Sequence, residues 1–341
     1  MSSSPKSLLD LPNELLWMIK DAVGEHLLGN ACFYLLCTRT SAFYHTTSAA
    51  DWQRVLRANG LGLATYEYVD ESEYEHIAFA CAHHAWACTH PHCGRARLEE
   101  NYRLMGEATA AWPTLRGDGA AGTVRSPHFD VAPDEGALVP STLFAHIAFR
   151  APARTRAARA HTQQLAYLRP AGQDARQRVP GETLDAHPVA LRTFASFPPL
   201  EAMNVDAPFE VPRMLNRTGL TARDVCRYLS SCLDQKVYPD TLKDALRELG
   251  DDAAKGISWD ANTVQECVKQ MRDWFQVVRW TGFEYQRRER NRWFMLKFEP
   301  RALPASAKDV EGLCSPDPAA DEETESDAAH LRVSLRQGVS F

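Results

Sequence analysis

The sequence predicts an α-rich α+β protein, and three observations support this class. Apolar residues recur at helical spacing in three segments within residues 8–60, and again on both sides of Pro91 within residues 62–108. Residues 183–303 combine further helical patterns with one segment dense in aromatic and apolar residues that is typical of a strand. At 341 residues the chain is long enough for about two domains with linkers.

Composition and charge narrow the class of protein. Hydrophobic residues make up 45% of the chain and aromatic residues 9%, which are values typical of globular proteins. The net charge of −6 argues against a general nucleic-acid binder, and no apolar run approaches the ~18–20 residues of a membrane span. The N-terminus lacks the layout of a secretory signal, and the nine scattered cysteines indicate reduced thiols. We therefore expect a cytoplasmic or nuclear protein with no nucleic-acid or membrane partner.

The first helical segment, "SLLDLPNELLWMIKDAV", has more apolar surface than one partner helix needs. Pro12 suits a helix start because its missing N–H costs nothing there, and Asp10 is the expected N-cap. The apolar residues are Leu11, Leu15 and Ile19 on one stripe, widened by Leu16, Trp17 and Met18. Two more helices follow before residue 60. Because a three-helix unit of this size buries little by itself, the surplus indicates a surface that another protein covers.

Three ordered motifs give this segment a resemblance to a known family. They are Leu11-Pro12 with Glu14-Leu15-Leu16 and Ile19, then Leu36-Cys37 with Phe43, then Asp51-Trp52-Gln53-Arg54-Val55-Leu56. At this order and spacing, residues 8–60 resemble an F-box. The sequence departs from the family pattern at Leu36, where Val is usual, at Thr40, where Trp is frequent, and at Asp51 before the final Trp.

The resemblance implies a three-helix F-box-like module that binds the Skp-type adaptor of a Skp–cullin–F-box ubiquitin ligase. The residues that it assigns to the adaptor-facing edge are Leu11, Pro12, Leu15, Leu16 and Ile19. Cys37 and Trp52 would lie in or beside the helical core. The expected function is that of a substrate-receptor subunit, which bridges the adaptor to an unknown target protein. The alternative is a protein-interaction scaffold outside any ligase, which uses the helical module as part of its own fold.

The segment "CAHHAWACTHPHCG" concentrates three cysteines and four histidines between Cys81 and Cys93. Thiolates and imidazoles are the ligands that Zn²⁺ prefers. Along one helix, Cys81 and Cys88 would lie roughly 10 Å apart, too far to share one ion. The workable set is His84, Cys88 and Cys93 with His90 or His92 as the fourth ligand. The other interpretation is one or two buried cysteines and partly exposed histidines beside Trp86. No cofactor is therefore required, and a structural zinc ion is the alternative.

The rest of the chain divides by composition. Residues 109–182 are expected to be loop and a basic connector, with seven arginines against one acidic residue, Asp174, in residues 150–178. That charge run suits either a solvated surface or an anionic partner. In the α+β domain expected at 183–303, Thr221 is a predicted N-cap with Asp224 three residues on. A helical pattern covers residues 264–286, and residues 291–300 are predicted as a strand. The acidic tail, residues 304–341, is expected to be disordered.

No motif for catalysis accompanies these elements. The sequence has no glycine-rich phosphate loop, no nucleophile elbow and no metalloprotease helix motif, so we expect no enzyme activity. A zinc-dependent enzyme built on the Cys/His segment would need an open coordination position and a general base. Residues 187–300 also resemble an uncharacterised α+β domain common in fungal proteins, through "FPPLE" and "GLTARDV". That resemblance implies a folded C-terminal unit and no particular substrate.

Overall fold

The computed structural model places at least eight α-helices and eight strands within the residues that it describes. Those residues are 8–44, 48–65, 73–111, 139–149, 166–168, 183–206, 214–233, 235–238, 240, 242, 270, 271, 273, 274, 278–288 and 291–300. The helices are α1 (Asn13–Val23), α2 (Leu27–Leu35), α3 (Thr38–Ser41), α4 (Ser48–Ala58), α5 (Glu73–Ala87), α6 (Gly94–Ala111), α7 (Pro188–Arg192) and α8 (Ala222–Ser231). The strands are β1 (Val139–Pro140), β2 (Ile147–Phe149), β3 (Ala166–Leu168), β4 (Ser196–Phe197), β5 (Ala202–Asp206), β6 (Met214–Leu215), β7 (Val278–Arg288) and β8 (Asn291–Pro300).

The described part is helix-rich with a few small sheets, which agrees with the α-rich α+β class at this coarse level. The largest sheet has four strands in the order β6-β5-β8-β7, with β5 and β8 parallel and the other two pairs antiparallel. The pairs β1–β4 and β2–β3 are antiparallel two-stranded ladders.

The first helix begins one residue later than the proline signal predicts. Pro12 is the N-cap of α1 and makes no side-chain cap, so the prediction of Asp10 as N-cap is wrong; Asp10 ends a short 3-10 turn, Leu8–Asp10. Gly24, with φ of 59°, ends α1. The buried Asn59 fixes the α1–α2 turn to the end of α4, because its amide donates to Glu25 O at 2.6 Å and accepts from Leu27 N at 3.3 Å.

The N-terminal helices and the residues after 183 share one hydrophobic core. A single cluster of buried side chains runs from Leu16 in α1 to Trp274. Residues 60–62 join the later segment through backbone bonds: Gly62 N donates to Arg192 O at 2.8 Å, and Phe194 N donates to Gly60 O at 2.9 Å. The boundaries expected at 60 and 183 remain predictions, but the segments on either side of them pack together.

Helix α8 confirms its predicted start. Thr221 is the N-cap, and Asp224 completes a capping box with it. The buried carboxylate of Asp224 also accepts from Thr65 N at 2.8 Å and from Asn216 Nδ2 at 2.8 Å. One side chain therefore starts a helix and attaches Thr65 to it.

Of the two strands in the C-terminal hairpin, the sequence predicts only the second. Residues 291–300 form β8, as predicted, but residues 278–286 belong to β7, so the helical prediction is wrong there. The alternation Val278, Trp280, then Phe283 and Tyr285 has the two-residue period of a strand, interrupted at Gly282. The β7–β8 register shifts between Trp280 and Gly282, where φ of Gly282 is 124°. A bulge of this kind hides a strand from a periodicity count.

Two predicted segments fall largely or wholly outside the described residues. The basic connector contributes only β3, and the acidic tail at 304–341 contributes nothing. Residues 139–149, within the expected loop, contain two short strands and a 3-10 turn, Thr142–His146. Among the described residues, no helix combines the length and apolar character that crossing a membrane requires.

Candidate functional site

The F-box-like motif residues divide into an outer and an inner set. Pro12 and Leu15 are exposed, Leu15 at 42%, while Leu16, which the resemblance assigns to the same edge, is completely buried and does not lie on it. The half-buried motif residues are Leu11, Ile19 and Cys37. Trp52 is completely buried. Neighbouring residues in one helix thus face opposite ways, which is what an amphipathic helix with a covered inner face and a free outer face requires.

Several large apolar side chains close in sequence to Pro12 and Leu15, which mark the outer edge of the module, are also exposed. The exposed ones in the N-terminal module are Leu8, Leu15, Trp17, Met18, Leu35 and Leu36, with Met18 at 64% and Leu35 at 69%. They belong to α1, to the turn before it and to the end of α2. Scattered exposed apolar residues are normal, but this number in so short a segment is typical of a protein-binding surface.

Polar contacts hold the start of α1 in place. The Arg39 guanidinium of α3 donates to Leu11 O at 2.9 Å and to Asn13 Oδ1 at 2.6 Å. Farther along α1, Lys20 Nζ donates to Phe43 O at 3.2 Å and lies 3.5 Å from the Asp51 carboxylate. These bonds join α1 to α3 and α4 on both sides of the exposed apolar residues.

The inner face of the module packs on α5. The Trp52 ring stacks on Tyr44, with ring centres 5.1 Å apart, and contacts Phe79 of α5 at 5.2 Å. Tyr34 also meets Phe79, at 5.1 Å, and its hydroxyl donates to Glu75 Oε1 at 2.8 Å. Burial and this carboxylate raise the pKa of Tyr34. The module therefore completes its core against the following helix instead of standing alone.

A second site lies at the far end of α5. The side chains of His84, Cys88, Cys93 and His187 bring four ligand atoms within 4.8 Å of one another. His84 Nε2 is 3.2 Å from Cys93 Sγ, and Cys88 Sγ is 4.0 Å from His187 Nδ1. Cys93 and His187 are buried, and His84 and Cys88 are half-buried.

Local structure explains how these residues meet. His84 and Cys88 are one helical turn apart, and Cys88 N donates to His84 O at 2.8 Å. The turn at 89–93 then reverses the chain so that Cys93 faces the end of α5. Gly94 permits this reversal, because its φ is 57° and a Cβ there would lie 2.7 Å from Cys88 O. His187 arrives from the residue before α7, whose first residue is Pro188.

Burial and hydrogen bonds act in opposite directions on Cys93. Burial raises the pKa of its thiol to about 12, while backbone amides of Ala190 and Gly94 donate to its sulfur and lower that pKa. The buried Arg97, whose own pKa burial lowers to about 10, also lies within electrostatic reach of Cys93. Burial outweighs the two amides, so the surroundings of Cys93 favour the neutral thiol at neutral pH.

The structure brings together three of the four predicted ligand residues. His84, Cys88 and Cys93 are in the cluster, and its fourth member is His187; the candidates predicted for that position, His90 and His92, lie outside it. His90 instead accepts a bond from His92 N at 3.2 Å through its Nδ1, and its ring centre lies 4.9 Å from that of His187. Sequence spacing could not find His187, because it lies 99 residues from Cys88.

The other histidines of the segment do not join this cluster. His92 stacks on His146, with ring centres 3.5 Å apart. Burial, followed by the charges of His146, Arg97 and His90, lowers the pKa of His92 to about 4. His92 is therefore neutral at physiological pH and acts as a packing residue beside the site.

Comparison of the chain with models of known protein families, with curated proteins and with solved structures finds no match.

Proposed function

We propose that this chain is a substrate-receptor subunit of a Skp–cullin–F-box ubiquitin ligase. Its exposed edge on α1 would bind the Skp-type adaptor, and the remainder of the chain would hold a target protein. The observation that carries the proposal is the division of the motif residues: Pro12 and Leu15 are exposed on α1, while Leu16 and Trp52 are buried. A docking module needs this division, because the same short motif must form a core and leave a surface.

The energetics favour a partner for the outer edge. Leu15, Met18 and Leu35 are 42%, 64% and 69% exposed, so a large part of each side chain is in contact with water. Removing apolar surface from water yields roughly 25 cal/mol per Å². The exposed Glu14 and Arg39 next to these residues supply the polar rim that protein interfaces have around an apolar centre.

The edge is also held rigid before any partner binds. The bonds from Arg39 to Leu11 and Asn13, and from Lys20 to Phe43, restrain both ends of the helix that carries Leu15. Preorganisation of this kind lowers the entropy lost on association. Because the module shares its core with α5 and with residues after 183, adaptor and target would be held at a defined separation. The contribution to ubiquitin transfer would then be effective concentration, without catalysis by this chain.

The scaffold alternative is favoured by one observation. The inner face of the module packs on α5 through Trp52, Tyr34 and Phe79, so the module is also part of a larger fold. This packing involves the inner face of the module and leaves Leu15 on the outer edge uncovered. The two functions therefore differ in whether a Skp-type adaptor occupies the outer edge. The expected cytoplasmic or nuclear location, and the expected absence of nucleic-acid binding, stay predictions.

The test is co-purification of the full chain with a Skp-type adaptor co-expressed in the same cells. Leu15→Asp places a charge in the proposed interface. Leu215→Asp is the matched control, because Leu215 is 51% exposed and lies on β6, away from the motif. Circular dichroism of each purified chain establishes that it is folded.

The proposal predicts that the wild type and Leu215→Asp retain the adaptor and that folded Leu15→Asp loses it by more than tenfold. A wild-type chain that is folded and monomeric but does not bind the adaptor would refute the ligase proposal. The scaffold function would then be the better account. Equal loss of the adaptor in both variants would refute the assignment of α1 as the docking edge.

A further inference from the structure

We propose that His84, Cys88, Cys93 and His187 form a structural Zn²⁺ site that joins the α5–α6 corner to the start of α7. The inference is independent of the ligase proposal, because it rests only on this cluster. Its basis is the convergence of two sulfur and two nitrogen atoms within 4.8 Å of one another. Two of these side chains come from α5 and its end, one from the following turn, and one from a segment far away in sequence.

The spacing of the four atoms suits a tetrahedron. Zn–S bonds of about 2.3 Å and Zn–N bonds of about 2.0–2.1 Å require sulfur–nitrogen separations of about 3.5 Å. The pair His84 Nε2–Cys93 Sγ lies at 3.2 Å and the pair Cys88 Sγ–His187 Nδ1 at 4.0 Å. These pairs share no atom, so they are opposite edges of the same tetrahedron. One edge is slightly short and the other slightly long, and small side-chain rotations would equalise them.

The chemistry of the ligands selects the ion. Two thiolates and two imidazoles are a Cys₂His₂ set, which matches the borderline-soft character of Zn²⁺. Two thiolate charges neutralise the two positive charges of the ion, which allows the completed site to be buried without a net charge. No carboxylate belongs to the cluster, so Mg²⁺ and Ca²⁺, which take oxygen ligands, do not fit.

Hydrogen-bond donors lie around one of the four ligand atoms. The backbone amides of Ala190 and Gly94 donate to the sulfur of Cys93, and the buried Arg97 follows Cys93 by one helical turn. Donors around the ligand atoms are the usual environment of a metal site, where they orient the ligands and stabilise their charge. Ala190 lies in α7, so the helix that follows His187 also contributes to holding Cys93.

Four protein ligands indicate a structural and not a catalytic site. A catalytic zinc keeps one position open for water or substrate, and a closed Cys₂His₂ set leaves none. The ion would connect Cys88 and His187, which are 99 residues apart in sequence. That connection closes a loop of the chain between Cys88 and His187, which includes the basic connector. Metal links that close long loops restrain the unfolded chain most. The site would thus hold the α5–α6 corner to the segment at 183–192.

The test measures metal in the full chain purified without chelators or a metal-affinity tag. Inductively coupled plasma mass spectrometry gives the zinc content of the wild type and of Cys88→Ser, Cys93→Ser and His187→Ala. His90→Ala is the matched control, because His90 is the neighbouring histidine that lies outside the cluster. Cys32→Ser, at an exposed cysteine, controls for the loss of a thiol elsewhere.

The expected result is about one zinc ion per chain in the wild type and in both controls, with more than about tenfold weaker retention in the three ligand variants. Because a ligand variant could fail to fold, a second measurement uses wild type alone. Cobalt added to chelator-treated protein should give the visible bands of tetrahedral Co²⁺ with thiolate-to-cobalt charge transfer, and Zn²⁺ should abolish them. A wild-type chain with neither zinc nor a tetrahedral cobalt spectrum would overturn the proposal. Zinc retained by folded Cys88→Ser and His187→Ala would overturn the ligand assignment.

Discussion

Replacing Trp52 by alanine should destabilise the whole described fold and not the N-terminal module alone. Trp52 is completely buried between Tyr44 and Phe79, which belong to the module and to α5 respectively. A buried aromatic side chain removes about 150–250 Å² from water, which at ~25 cal/mol per Å² corresponds to about 4–6 kcal/mol. Partial relaxation around the cavity and the remaining alanine reduce the expected loss to about 3–5 kcal/mol in the free energy of unfolding.

The assay is urea unfolding followed by far-ultraviolet circular dichroism, with the change in midpoint converted at a constant slope. Trp86→Ala is the control, because Trp86 lies on α5 but is 79% exposed, and its replacement should change stability by less than about 0.5 kcal/mol. Hydrogen exchange should show lower protection in α5 and α8 as well as in α4 of the Trp52 variant, because all three helices contribute to one core.

Two results would refute this reasoning. A loss below about 1 kcal/mol would mean that the surroundings of Trp52 are not tightly packed in the wild type. A separate early transition confined to residues 8–60, with normal protection of α5 and α8, would mean that the module unfolds independently. The shared core would then not be a cooperative unit.

Two further predictions concern backbone geometry and a buried carboxylate. Gly94→Ala should cost about 1–3 kcal/mol because φ is 57° and the new Cβ would lie 2.7 Å from Cys88 O. Gly106→Ala, at a position in α6 where a new Cβ would meet nothing within 4 Å, should instead stabilise the chain by about 0.5–1 kcal/mol in the same urea assay. Asp224→Ala should cost about 3 kcal/mol, because several buried donors lose their acceptor, whereas exposed Asp21→Ala should change stability by less than about 0.5 kcal/mol. Equal effects within either pair would contradict the contacts described.

Local signals in the sequence predicted the elements that local interactions form. Thr221 and Asp224 are three residues apart and cap α8 without help from elsewhere. The break at Pro91 separates α5 from α6 for the same kind of local reason. The prediction was wrong for residues 278–286, where the register shift at Gly282 interrupts the strand period. A strand that contains a bulge therefore cannot be recognised from periodicity alone.

The metal candidates illustrate the same limit. His84, Cys88 and Cys93 were predicted because helix geometry and a proline turn bring them close within ten residues. His187 was missed because only tertiary packing brings α7 to the end of α5. The local sequence indicates only that Pro188 can begin a helix, which says nothing about where His187 lies relative to α5.

Stability and binding should respond differently to two adjacent leucines, and this difference separates the two proposed functions. Leu16 is completely buried, so Leu16→Ala should cost about 2–5 kcal/mol in the free energy of unfolding. Leu15 is 42% exposed, so Leu15→Ala should cost about 1 kcal/mol or less. Urea unfolding measures both values on the full chain.

If the chain is a scaffold that uses α1 only for its own fold, neither the wild type nor either variant should bind a Skp-type adaptor, however stable it is. In a substrate receptor, Leu15→Ala should weaken adaptor binding measured by calorimetry while the chain stays almost as stable as the wild type. Leu16→Ala should weaken binding only in proportion to the fraction of chain that it unfolds. If the two variants cost the same stability, then Leu15 is a core residue and the exposed edge of α1 cannot be the docking surface. A residue whose removal weakens the complex and hardly affects the fold is explained only by a partner, which is why the neighbouring pair is more informative than either variant alone.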